Sequence, residues 1–331
     1  MSTLVATISR IAPFPALLGE ISREQAAKWF WRSVAVPVIA FAIFLGLWQE
    51  TSKQIVTSLG TIPGPVEVVK EAHILWADHL HQRAKEAAFD VRQEKRNAAK
   101  LAENPNAVIK WHAYTGKPTY IDQIFTSIKT VFAGFLLGTI IAIPLGIVCG
   151  LSPLVNAALN PLIQIFKPVS PLAWLPLVTI MVSALYVSSD PMFEKSFLTS
   201  AITVTLCSLW PTLINTSLGV ASIDKDLMNV SRVLQLNWRT KVFKMILPSS
   251  LELIFTGLRL SLGVGWMVLI AAEMLAQNPG LGKFVWDEFQ NGSSHSLARI
   301  MVAVFTIGII GFGLDRIMLS LQNFFTFSEK R

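Results

Sequence analysis

Lys129, Glu252, Arg259 and Glu273 are charged side chains that stand in, or at the margin of, runs otherwise apolar enough for hydrocarbon. A charge at that depth is costly and is read first as functional. The two cations offer positive potential to an anion; Arg259 equally suits a structural arginine bridging helices near an interface. Arg259 and Glu273 are fourteen residues apart, about 21 Å along a helix, so they do not pair with each other. Glu273 is expected at the outer interface and Arg259 in the inner half, facing other helices. In "FKPVSPLAWLP", Ser170 before Pro171 reads as an N-cap with proline at the first helical position. Such a start aims free N–H groups and a positive dipole end at what precedes it, which suits an anion. An ordinary helix start at a membrane boundary explains the same residues.

Other chemistry lacks its residues. No G-x-x-x-x-G-K-[ST] run exists, and "NPGLGKF" has neither the spacing nor the Ser/Thr, so no P-loop ATPase is expected on this chain. H-E-x-x-H and G-x-S-x-G are absent, and no paired intramembrane carboxylates are read, which argues against a membrane hydrolase or a proton-driven pump. His73, Asp78, His79 and His81 cluster, but on a helix His79 and His81 point about 200° apart, so no metal site is expected. Cys149 and Cys207 both fall in predicted spans and read as buried apolar thiols.

The elements that must hold these groups follow from composition. The 331 residues are 52% hydrophobic and 15% charged, far from the roughly one-quarter charge of soluble domains. Six windows approach the ~20 apolar residues a crossing needs: Ser33 to Gln49, Ile124 to Cys149, Pro168 to Val187, Phe197 to Val220, Leu251 to Leu275 and Ile300 to Ser320. The net charge of +7 lies largely beside these windows, where membrane topology accounts for it and nucleic acid is not needed. The first 32 residues have no continuous h-region, so no cleaved signal peptide is expected and the first span serves as the start-transfer helix.

Lysine and arginine place both termini in the cytoplasm, with Arg10, Arg23, Lys28, Arg32, Lys167, Lys225, Arg232, Arg239, Lys241, Lys244, Arg316, Lys330 and Arg331 inside. The short outer loops hold Lys195 and Lys283. The predicted organisation is a cytoplasmic segment 1–32, a first transmembrane helix 33–49, an extracytoplasmic helical excursion 50–123, a five-helix core 124–320 containing a cytoplasmic loop 221–248, and a cytoplasmic tail 321–331. The excursion carries ten Lys or Arg nearly balanced by acids, and its length exempts it from the positive-inside rule. Within it Glu86, Asp90 and Glu94 form an acidic line and Arg92, Arg96 and Lys100 a basic one. A solvated helix and a docking surface for an extracytoplasmic partner both fit.

Gly134 with Gly138, and Gly146 with Gly150, are small-xxx-small pairs that allow close helix approach. The cytoplasmic loop "DKDLMNVSRVLQLNWRTKVFKMILPSS" sets Leu227, Val230, Val233 and Leu234 on one face. Trp238, Val242, Met245 and Ile246 form a second short helix, with Arg239, Lys241 and Lys244 opposite. Two helices joined at "QLNW" and stopped by Leu247-Pro248 are expected along the membrane surface. They would either anchor in the interface or offer a face to a soluble partner.

This loop resembles that of binding-protein-dependent ABC importer permeases, whose E-A-A-x-x-x-G-x9-I-x-L-P motif docks on the ATPase subunit. Aligned on Leu247-Pro248, E-A-A falls on Asn229, Val230 and Ser231, the glycine on Gln235 and the isoleucine on Met245; only L-P is identical. "ILPSSLELIFTGLRLSLGVGWMVLIAAEML", "KPVSPLAWLP", "LWPTLINTSLGV" and "FVWDEF" are more similar, to the nitrate/sulfonate/bicarbonate group and most to its nitrate members. The resemblance runs from about 120 to 325, more weakly over 33–69, and leaves about 82–112 as an insertion.

It implies an all-α membrane protein of six transmembrane helices with the type I ABC importer permease fold, plus the charged extracytoplasmic helical insertion. It further implies a non-enzymatic transport subunit in the bacterial inner membrane. Its partners would be a second permease chain, two ATP-binding subunits holding ATP and Mg, an extracytoplasmic binding protein and membrane lipid. The docking segment would run from Asp226 to Trp238, with Asn229, Val230, Val233, Leu234 and Gln235 between. For a small anion, nitrate first and then bicarbonate, cyanate or sulfonates such as taurine, the pathway candidates are Arg259, Lys129, the Ser170 helix start, Thr203, Asn215 and Thr256. A secondary transporter or channel would need ion-coupling carboxylates at mid-span, and none is read there. A scaffolding membrane subunit is the third class.

Overall fold

The structure, a computed structural model, describes residues 28–57, 60–104, 108–187, 192–293 and 295–327. Most of the expected cytoplasmic N-terminal segment, with Arg10 and Arg23, and the last residues of the tail, with Lys330 and Arg331, lie outside the described residues.

Helix α1 (Lys28–Gln54) has none of its apolar window buried, so it lies on the periphery. It touches the body where Trp48 stacks on Phe305 at 5.1 Å between ring centroids. A two-stranded antiparallel hairpin, β1 (Val56–Thr57) and β2 (Gly60–Thr61), leads to α2 (Pro65–Glu103). Pro65 supplies the fixed φ and dispensable N–H favoured at a helix start. α2 is only partly a solvated excursion, because its first half packs on the body. Val68 and Leu75 join the main apolar core, and Glu71, 3% exposed, accepts from Arg299 Nε at 2.8 Å. Arg83 pairs with Asp122 at 2.8 Å, and Gln93 makes two hydrogen bonds to the backbone of His112.

α3 (Tyr120–Leu151) opens with a capping box in which Thr119 and Asp122 satisfy each other's backbone donors. α4 (Pro153–Phe166) and α5 (Pro171–Leu185) follow, bent by 100° from one another at a break that contains Pro168 and ends at Pro171. α5 alone, 15 residues or about 22 Å, falls short of a ~30 Å hydrocarbon core. The expected span Pro168 to Val187 therefore begins in the break itself, and its helix starts only at Pro171. Among the described residues, five helices are each long and apolar enough to cross, and the count reaches six if the bent pair is taken as one span.

α6 (Lys195–Ala221) is the centre of the bundle, with 56% of its apolar window buried. It packs most closely with α3 and with α8 (Trp238–Ala276). The predicted glycine pairs make this possible: a Cβ on Gly146 would stand 2.6 Å from Thr216 Cβ, and one on Gly150 2.5 Å from Val220 Cβ. Gly257 does the same from α8, against the α6 backbone at Thr212 and Pro211. In lipid, where apolar surface gains nothing by leaving the solvent, such backbone proximity is a main source of packing energy.

Between α6 and α8 lies α7 (Lys225–Val233). The second short helix expected from Trp238 to Ile246 is not separate. Trp238 begins α8, which runs without a stop through Leu247-Pro248 to Ala276. Residues Val242–Ile246 are π-helical, and the N–H of Leu247 reaches Val242 O, five residues back. Widening the turn there accommodates the ring and missing N–H of Pro248, which would clash with an α-helical turn. Trp31–Ala35 is π-helical before Pro37 in the same way. α9 (Leu281–Asn291) and α10 (Ser296–Phe327) complete the fold, α10 lying against α8, where Trp266 Nε1 donates to Ile307 O at 3.0 Å.

Candidate functional site

Arg259 lies on the third turn of α8 beyond Pro248, on the side facing α10. Its guanidinium forks onto Asp315 of α10, Nε to Oδ1 at 2.5 Å and Nη2 to Oδ2 at 2.9 Å. Two parallel charge-assisted bonds fix both planes. Arg259 thus does bridge helices, and it also lines a cavity of about 740 Å³ between α8 and α10. Thr256, Asp315, Gln322 and Asn323 give that cavity its polar wall; Leu260, Val264, Met267 and Leu319 give the apolar one. Gly263 faces open space there. Gln322 Nε2 donates to Thr256 Oγ1 at 3.2 Å, closing one end.

Of the six residues expected on an anion pathway, Arg259 and Thr256 meet in this cavity. The other four do not line it. Ser170 caps α5, its hydroxyl accepting from Leu172 N at 3.3 Å as the sequence implied, but at the exposed bend. Lys129 is on the exposed side of α3. Thr203 is wholly buried and donates to Thr199 O at 2.8 Å, and Asn215 donates to Pro211 O at 2.8 Å, each occupied within α6. Asp315 is the residue the sequence reading passed over. The signal for it was available: an acid within an apolar window is as costly as a base and calls for an oppositely charged partner.

Glu273 is fully enclosed by protein. Ser127 Oγ donates to its two carboxylate oxygens at 2.9 and 2.7 Å, Gly282 N–H donates at 3.0 Å and Asn278 Nδ2 at 3.3 Å. Ser127 also accepts from Leu281 N–H at 2.8 Å. The carboxylate therefore sits at the N-terminal end of α9, where free N–H groups and the dipole favour an anion, and ties α3, α8 and α9 together.

At the other end of α8, α7 begins with Asp224 accepting from Asp226 N–H at 2.8 Å. Met228 packs on the cluster of Ile147, Val220, Met245 and Ile246, and Ser231 is buried beside it. The opposite side is bare: Val230 is 52% exposed, Val233 82%, Leu234 63% and Trp238 58%. Asn229 and Asp226 are exposed on the same short helix. Gln235 ends the helix with φ 47°, in the left-handed region that favours glycine.

Residues 142–325 match the family described as "binding-protein-dependent transport system inner membrane component". The chain is 30% identical over 281 residues to the nitrate import permease protein NrtB of Synechococcus elongatus, covering 85% of this chain and 86% of that one. It is 38% identical over 202 residues to the bicarbonate transport system permease protein CmpB of Synechocystis sp., covering 61% and 67%. Among solved structures, a chain of the MetNI methionine ABC transporter, inward facing, is similar with a TM-score of 0.49 and 15% identity, covering 61% of this chain and 95% of that one. By its matched core, its membrane-spanning helices and its similarity to both kinds of permease along most of its length, this chain belongs to the binding-protein-dependent ABC importer permeases, with their type I helical fold.

Proposed function

We propose that this permease carries nitrate inward across a bacterial inner membrane, with Arg259 at the cavity between α8 and α10 as a cation of the pathway. The observation that carries nitrate is the extent of similarity: the match to a nitrate import permease spans 85% of the chain, whereas that to a bicarbonate permease spans 61%. Bicarbonate is the second reading, favoured by the higher identity, 38%, over the shorter span. Both are small planar monovalent oxyanions, for which a guanidinium and a few hydroxyl or amide groups suffice, with affinity left to the binding protein.

The same reading places both termini in the cytoplasm and assigns α7 to docking on an ATP-binding subunit that holds ATP and Mg. The bare surface of Val230, Val233, Leu234 and Trp238 supports it, since a short helix and the turn after it, together presenting four large apolar groups, suit a groove on another protein. Two copies of the chain, two ATP-binding subunits and an extracytoplasmic binding protein complete the transporter.

The test is reconstitution of the purified complex in vesicles with its binding protein. Nitrate-loaded binding protein should stimulate ATP hydrolysis and nitrate accumulation, and Arg259→Gln should cut accumulation at least tenfold. Stimulation by taurine and not by nitrate would overturn the substrate; undiminished transport by Arg259→Gln would overturn the pathway.

A further inference from the structure

The Arg259–Asp315 pair occupies an unusual position. Both side chains are 35% exposed, within helices otherwise lined by Leu260, Met267, Ile309 and Phe312. A partly open ion pair within apolar helices is unfavourable against lipid and suits a cavity with a polar wall. The pair borders two cavities: the larger one of about 740 Å³, and one of about 190 Å³ bounded by Leu262, Trp266, Gly311 and Leu314. One edge of the guanidinium is also committed: its Nε and Nη2 donors point at Asp315, the side-on edge on which a planar oxyanion could sit bidentately. Arg316, the neighbouring cation, approaches Asp315 only at 3.9 Å and lies over the Phe312 ring at 4.8 Å, so it does not relieve Arg259 of its partner.

We infer that Asp315 is an internal competitor for the transported anion: its carboxylate occupies the Nε/Nη2 edge of Arg259, and an oxyanion takes that edge only when α8 and α10 part. A carboxylate and nitrate or bicarbonate present the same feature to the guanidinium, two oxygens on one trigonal centre. The closed pair is neutral, so it leaves no strong anion trap in the pathway. That matters for transport, because a site must be weak enough to release what it binds. The inference rests on the pathway reading of Arg259 and adds a positioning residue, Asp315, on a different helix.

The experiment measures thermal unfolding of the purified permease–ATPase complex without binding protein, in sodium nitrate against sodium chloride at equal ionic strength. Asp315→Asn leaves the guanidinium open, so nitrate well above its dissociation constant should raise the unfolding midpoint by roughly 3 °C over chloride. The unsubstituted complex and Arg259→Gln/Asp315→Asn should show no difference. Asp315→Glu, which keeps a carboxylate, should resemble the unsubstituted complex. If Asp315→Asn is not recovered, Asp315→Ser is read in the same way. Equal midpoints in nitrate and chloride for the variant lacking the carboxylate would overturn the competitor role. So would loss of both single variants while the neutral double variant folds, which would assign the pair to helix packing alone. The pathway reading fails separately, through undiminished transport by Arg259→Gln.

Discussion

Leu236 donates its backbone N–H to the carbonyl of Ser231 at 3.1 Å, while Gln235 donates to Arg232 O at 3.0 Å. These are the two bonds of a Schellman closure, and Gln235 holds the left-handed position between them. The alignment of the docking motif puts its glycine on that residue. The local geometry thus matches what the motif's glycine would serve, although the side chain differs.

Gln235→Gly should therefore stabilise. A non-glycine residue in the left-handed region costs about 1–2 kcal/mol, partly offset by the greater freedom glycine brings to the unfolded chain. A net gain of about 0.5–1 kcal/mol is expected, read as a rise of about 2 °C in the unfolding midpoint of the complex, with transport retained.

Val230→Asp and Leu234→Asp place a charge on the bare face of α7 without touching the Met228 side that packs on the bundle. Both chains should insert and reach normal abundance, yet fail to retain the ATP-binding subunit through purification and fail to accumulate nitrate. Normal uptake by both would remove α7 from docking.

Gly146→Leu forces a side chain into space held by Thr216 and the Leu213 carbonyl. Overpacking of this kind costs about 1–3 kcal/mol or more where backbone must move. The variant should aggregate on size exclusion, whereas Gly263→Ala, where a Cβ meets nothing within 4 Å, should run as the parent does.

Glu273→Gln keeps the shape but turns one acceptor into a donor beside the donors Ser127 Oγ, Gly282 N–H and Asn278 Nδ2. At least one buried group then loses its partner, at about 1–3 kcal/mol. Hydrogen exchange should quicken at Leu281 and Gly282 before it does in α6, since the carboxylate anchors the start of α9. Unchanged protection there would show that packing alone holds α9.

How much of this was legible in the residues differs from element to element. Long uncharged runs announced the membrane helices, because no other element hides twenty apolar side chains in sequence. Ser170-Pro171 announced a helix start, and the paired glycines announced close packing; each is a local property with a local cause. The bare apolar face of α7 was visible in the spacing of Leu227, Val230 and Leu234.

What the sequence by itself determined is a multi-pass helical permease with an amphipathic helix between two spans. Tertiary structure alone decided that Arg259 meets Asp315, 56 residues away, that Glu273 closes onto α9, that α8 passes through Pro248 by a π-turn, and that Thr203 and Asn215 stay within α6. The reason lies in the solvent. A helix in water marks its buried face by hydrophobic periodicity, but a helix whose core and lipid faces are both apolar carries no such mark. Which polar group turns inward, and toward what, is then fixed by how the helices pack.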